Sequence, residues 1–302
     1  YRIKGLQERG VIRGFTAAIN PAKFGLFVYK TYLRLERNER RIATFIEHLS
    51  AHARVHWVAE CDGKWDVMFS MYAHTPFEFY ELQEKILFEF SDIILFFNVY
   101  TVIEAHCFRK SYLLGIGTDH FVFGGEPGAL EIDALDRSIL RRLCEDSRLT
   151  KRQIAKVLNV SAMVIKYRID RLESLGIITA YPLDIAIDLL GISFFKAQLH
   201  FGAYDRHAAD LLLEYCKTNP YITFFISQIG ECMVEIELEV QSFAQLSDIL
   251  SEIRQKFSRF VRSIDSVLIR RQKFKWAPFL VDSQSADALA AVDSSRRLAQ
   301  RG

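Results

Sequence analysis

Residues 1–12, YRIKGLQERGVI, can be laid on residues 167–178, YRIDRLESLGII, at a constant shift of 166, and six of the twelve positions are identical. The same shift puts Gly25 on Gly191 and Lys30 on Lys196, and a slip of one residue brings Gly63 onto Gly230. A period this long means two copies of one folding unit, so whatever the first half builds the second must build again. By analogy with residues 132–166, residues 1–7 are expected to be the second half of a helix whose roughly 35 preceding partner residues are absent.

Each copy alternates strand and helix patterns in one order. In the first, residues 25–35 are rich in Phe, Val, Tyr and Thr and read as a strand, and residues 40–51 carry Ile42, Phe45, Ile46 and Leu49 at helical spacing. Residues 55–61 and 65–73 are strands joined through Asp62-Gly63-Lys64, an Asp-Gly hairpin. Pro76 opens a helix over 77–90, and a long strand covers 94–109. The second copy repeats this over 193–201, 205–217, 221–229, 232–240, 242–257 and 262–274, so both read as the β-α-β-β-α-β split unit.

Between the copies, residues 132–180 read as three short helices and a strand. Leu135, Ile139, Leu140 and Leu143 give the first an apolar face, with Asp133 as N-cap; Thr150 caps the second and Ser161 the third. Ile165, Ile169 and Leu172 form the third helix's buried stripe, Gly176 ends it, and Ala162, Met163, Lys166, Tyr167 and Asp170 are expected on its outer face. Two helices joined by a tight turn, the second with a polar outer face, form the unit that places a recognition helix in the DNA major groove. From residue 137 to 171 there are ten Lys/Arg against three Asp/Glu, a balance of +7 in a chain whose net charge is +2. The positive charge is therefore concentrated where phosphates would lie.

The pattern Ile132-Asp133, Asp136, Ile139-Leu140, then Leu149-Thr150, Ile154-Ala155, Leu158, Val160-Ser161, and finally Arg168-Ile169, Leu172-Glu173, Gly176-Ile177-Ile178 resembles the DNA-binding domain of the Lrp/AsnC (feast/famine) transcription regulators. The resemblance implies an α+β fold: a winged helix-turn-helix plus two ferredoxin-like βαββαβ domains of the Lrp/AsnC ligand-binding type, forming an intramolecular pseudo-dimer. Family members pair these domains sheet against sheet. Phe27, Tyr29, Leu33 and Leu35, with Phe194, Leu199 and Phe201, are candidates for the joined faces.

The expected organisation is a helix-turn-helix remnant at 1–20, a sensing domain at 21–114, a linker at 115–130, the DNA-binding domain at 131–185, a second sensing domain at 186–281 and a disordered tail at 282–302. The linker holds five of the fifteen glycines, yet Phe121, Val122 and Phe123 suit docking on a neighbouring surface.

By this reading the chain is a sequence-specific regulator whose partners are double-stranded DNA and an amino-acid-like effector, with higher homo-oligomers open. Met163, Lys166 and Tyr167 are candidates to read bases, and Lys151, Arg152 and Arg168 to hold phosphates or brace the helix, with Ser161 and Ala162 at the helix start. The family also has a glycine and an acid around the second turn, matched by Gly63 and Asp66; the second copy has Gly230-Glu231-Cys232-Met233 there, without the acid. Asn98, Thr101, Ser263 and Ser266 lie near where the family places its effector cleft, or are outward-facing strand positions.

Other readings stay open. The paired architecture also resembles siroheme decarboxylases, but His106 and Arg109 at odd spacing would point to opposite faces of one strand. An adaptor that senses a ligand without binding DNA is the third. Neither a cofactor nor a catalytic group is expected, since no P-loop, G-x-S-x-G, H-E-x-x-H or Rossmann pattern is present. His48, His52 and His56 are spaced by four, but no acid or cysteine at matching spacing completes a metal site. Five cysteines without a C-x-x-C pair argue against a disulfide framework and suit a reducing cytoplasm, and no apolar run reaches the ~20 residues of a membrane span.

Overall fold

A computed structural model describes residues 2–115, 120–202 and 206–280; the expected tail at 282–302 lies outside them. A helix α1 (Arg2–Glu8) leads into two short strands, β1 (Ile12–Phe15) and β2 (Ala18–Ile19). The first repeat follows as β3 (Phe27–Leu35), α2 (Glu39–Ala51), β4 (Val55–Asp62), β5 (Val67–Ala73), α3 (Pro76–Glu89) and β6 (Ile94–Phe108). After α4 (Ser111–Leu114) and β7 (His120–Gly124) come the three helices α5 (Ala134–Glu145), α6 (Lys151–Leu158) and α7 (Ala162–Ser174), then β8 (Ile178–Ala180) and β9 (Leu183–Ile185). The second repeat is β10 (Ser193–Phe201), α8 (Arg206–Thr218), β11 (Ile222–Ile229), β12 (Val234–Val240), α9 (Phe243–Lys256) and β13 (Val261–Phe274). Among the described residues no helix is long and apolar enough to cross a membrane.

Each repeat forms four antiparallel strands in the order second, third, first, fourth: β4-β5-β3-β6 and β11-β12-β10-β13. Helices cover the outer face. In the first repeat Tyr29, Leu33 and Leu35 pack with Phe45 and Leu49 of α2 and Phe79 and Ile86 of α3. Leu199, Ile236 and Leu250 occupy the matching layer of the second.

The halves do not meet as two stacked sheets with free edges. β6 pairs with β11 and β13 pairs with β4, so eight strands close into one barrel. Closure satisfies the edge amides and carbonyls that two separate sheets would leave open.

The expected joined faces are corrected accordingly. Tyr29, Leu33 and Leu35 face the helices, as does Leu199, and Phe27 and Phe201 pack against those same outer layers; only Phe194 of the seven points inward. Inward-facing residues are Tyr32, Trp57, Trp65, Met68, Tyr100, Cys232 and Val267, with buried Lys30, Lys196, Gln198 and Glu235 among them. The reason is that a barrel interior needs volume more than apolarity, and paired polar groups can fill it.

The short strands exchange reciprocally as well. β1 pairs with β9 and β2 with β8, so each half completes the other's exit ribbon. Residues 120–124 of the expected linker are no free tether: β7 runs antiparallel to the end of β6, and Phe123 packs against Val28, Tyr72 and Val102.

Candidate functional site

The three helices between the repeats meet in a core of Ile139, Leu140, Leu143, Ile154, Ile165, Ile169 and Leu172. Their starts are set by side chains. Asp133, Thr150 and Ser161 each accept the backbone N–H three residues on, from Asp136, Gln153 and Val164, and Gln153 returns the bond to the Thr150 N–H. Such caps satisfy amides that have no partner within the helix, at roughly 1 kcal/mol each. Asn159 takes a left-handed turn with φ 53°, which ends α6 and lets α7 begin three residues later. Gly176, with φ +66°, follows α7 and turns the chain into β8.

Two arginines one helical turn apart on α7 meet two aspartates one turn apart at the start of α5. Arg168 lies 2.5 Å from Asp133 and 3.2 Å from Asp136, and Arg171 lies 3.1 Å from the other Asp136 oxygen. The Asp136 side chain is 1 % exposed, so this ladder sets the rotation of α7 against α5. Hydrogen bonding to Asp133 raises Arg168 above its ordinary pKa. Arg168 is therefore a brace. From the sequence Asp136 stood only within the family pattern and Arg171 had no assigned role; two acids and two arginines at matching three-residue spacing were the available signal.

With α7 held this way, Met163 is 74 % and Tyr167 68 % exposed, and Lys166 stands between them. Large apolar groups left in water beside a lysine make a surface that fits base edges and thymine methyls. Lys166 lies 2.5 Å from Asp170, whose hydrogen bond raises its pKa and keeps it charged. Ala162 is half-buried against the helix core, and the Ser161 hydroxyl is spent on its cap. Lys151 and Arg152 are exposed at the start of α6, where a helix N-terminus adds to their attraction for phosphate.

This unit is tied to the barrel from both halves. Ala17 and Ile19 enter its core from the first exit strands, Leu280 enters from the turn that follows β13, and the Arg141 Nε donates to the Leu280 carbonyl at 2.7 Å.

The effector candidates lie at the barrel seam. Gly63, with φ +131°, sits where a Cβ would be 3.3 Å from the Ser266 carbonyl of the other half. Asp66 accepts the Leu35 N–H at 2.8 Å and pairs with Arg34 at 3.2 Å, so both its oxygens are engaged within the first half. Lys64 instead crosses the seam to Glu231 at 3.0 Å and Asp265 at 3.2 Å, and Asn98 donates to Glu231. Of the spaced histidines, His56 stacks on Tyr72 and hydrogen-bonds Ser70, while the His52 Nδ1 accepts the Arg54 N–H. His106 is bonded to Glu104 at 2.7 Å.

A winged helix-turn-helix DNA-binding family matches residues 132–179. An uncharacterized HTH-type transcriptional regulator of Pyrococcus furiosus is 48 % identical over 138 residues, which are 46 % of this chain and 84 % of that protein. The HTH-type transcriptional regulator LrpC of Bacillus subtilis is 25 % identical over 142 residues, 46 % of this chain and 92 % of its own length. One relative's length thus fits within about half of this chain. Over nearly the whole chain the fold is similar to the crystal structure of the siroheme decarboxylase NirDL, with TM-score 0.66, 10 % identity, and coverage of 97 % of this chain and 87 % of that one.

Proposed function

The chain belongs to the Lrp/AsnC family of helix-turn-helix transcription regulators, and from that premise we propose that it binds DNA sequence-specifically through α7 and responds to a small, amino-acid-like effector in the cytoplasm. The observation that carries the reading is the exposed trio Met163, Lys166 and Tyr167 on a helix whose rotation is fixed by the Asp133/Asp136 and Arg168/Arg171 ladder.

Replacing Lys166 with Ala should weaken binding to the selected site by about 1–3 kcal/mol and leave random duplex nearly unaffected. Replacing Lys151 or Arg152 with Ala should weaken every sequence alike and lower the salt slope by about one. Titration of fluorescent duplexes at several salt concentrations separates the two. Unchanged retention of all duplexes by a Lys151/Arg152/Lys166 triple Ala variant would leave the adaptor reading.

The reciprocal pairings support reading the two ferredoxin-like halves as a pseudo-dimer in one chain, related by an approximate two-fold axis. The amide of His106, opposite Phe225 in the β6–β11 seam, should then stay protected from hydrogen exchange on dilution; protection lost on dilution would mean pairing between chains. The effector is assigned to the seam near Gly63 and Asp66. If Asp66→Asn leaves the effector-induced rise in melting temperature unchanged, Asp66 plays no part in binding it.

The whole-chain likeness to NirDL supports the fold of a tetrapyrrole enzyme. The chemistry follows the sequence relatives instead, because Trp65, Tyr32 and Tyr100 fill the barrel and His106 is held by Glu104. A Soret band retained after desalting from sirohaem would reverse that choice.

A further inference from the structure

The barrel interior holds two lysines at equivalent positions, Lys30 and Lys196, both within reach of one carboxylate oxygen of Glu235 at 2.8 and 3.0 Å. The side chains are 5 %, 3 % and 0 % exposed. Tyr32 donates to the other Glu235 oxygen at 2.6 Å, and Glu237 also pairs with Lys196. The positions around these lysines are not equivalent. Tyr32 faces Met68 across its strand pair where the matching Gln198 faces Glu235, and Lys30 faces Ser70 where Lys196 faces Glu237. The first half therefore brings a buried cation and no acid, while the second brings a cation and two acids.

The rim repeats the asymmetry. Lys64 of the first half meets Glu231 and Asp265 of the second, and Lys110, which follows the first half's last strand, meets Glu239. The opposite sense occurs at Arg270 with Asp62, where both side chains are more than half exposed and the pair is worth little.

We propose that the two halves carry complementary charge codes, so that the first half accepts the second as its sheet partner and refuses another copy of itself. Two first halves closing the same barrel would bury two copies of Lys30 with no acid. Two second halves would bury an excess of carboxylates. Only one of each balances Lys30, Lys196, Glu235 and Glu237, with the second half's buried Glu239 balanced by Lys110 of the first. A buried ion pair adds little to stability relative to a well-packed apolar pair, but an unmatched buried charge is strongly penalised, which is what selection between partners requires. In a cell holding many copies of this chain, the code keeps each barrel to one first half and one second half.

The test uses full-length variants. Lys30→Glu and Glu235→Lys, each leaving the interior unbalanced, should lower the melting temperature by about 5–10 °C. Combined in one chain, they restore balance and should recover at least half of that loss. Lys30→Glu no more harmful than Lys30→Met, or a swap no more stable than the worse single variant, overturns the proposal. Lys30→Met with Glu235→Met, neutral in both halves, should on refolding from denaturant give between-chain species by light scattering that the parent chain does not form. A neutral variant that refolds to the parent's species alone overturns the refusal of like by like.

Discussion

Gly230→Ala is expected to destabilise the protein by about 3–5 kcal/mol, seen as a fall in the urea midpoint. Gly230 has φ +156°, and a Cβ there would lie 2.3 Å from the Tyr100 Cδ1 and 3.0 Å from the Val99 carbonyl of the other half. Tyr100 cannot give way. It is fully buried, tilted against Tyr32 at 4.8 Å, with its hydroxyl accepting from Gln198 at 3.0 Å. Gly63→Ala meets the equivalent strand at a looser 3.3 Å and should cost less, although its φ of +131° adds backbone strain. The difference between the two isolates steric closure of the seam from the backbone cost they share. Equal and small effects would mean that the hairpin tips do not press on the opposite half in solution.

Between pH 7.5 and pH 5 the protein should lose about 2 kcal/mol of stability through each of His56 and His52, roughly 4 kcal/mol together, at about 1.4 kcal/mol per pKa unit. Burial lowers His56 to about 3, with the Lys275 cation adding to it. Burial lowers His52 to about 4, helped by His48, Lys275 and Arg54. The unfolded chain takes up these protons near pH 6.5 and the folded one only near 3 and 4. Stability from this source is therefore complete above pH 6.5 and falls as the pH drops through the window down to about 3. Below about pH 4.5 Glu235, which its lysine partners hold at about 2 despite burial, adds a loss of the same sign. Urea titrations at pH 7.5, 6 and 5 measure the slope. In His56→Phe, where an aromatic ring can keep the stack on Tyr72 at 4.2 Å, that slope should fall by about half. An unaltered slope in that variant would show that His56 is not the group being protonated.

Local rules carried much of the architecture. Asp133, Thr150 and Ser161 act as caps because a short polar side chain before an apolar period can only bond the free amides ahead of it, which depends on neighbours three residues away. The repeat and the strand-helix order followed from periodicity for the same reason. The exposure of Met163, Lys166 and Tyr167 followed from the buried stripe of Ile165, Ile169 and Leu172 on the opposite side of α7.

What the tertiary structure decided are relations between segments far apart in the chain. β3 and β10 are buried on both faces, so alternation could not say which side meets the helices, and the joined face was assigned largely to the wrong parity. Barrel closure depends on edge strands of two repeats meeting, and hydrogen bonds between backbones carry no side-chain signature. The sequence left Arg168 between phosphate ligand and brace, and could not name the partners of Asp66, because a charge shows its sign in sequence but not its partner. A periodicity records which way a side chain points from its own backbone; only folding determines what stands opposite it.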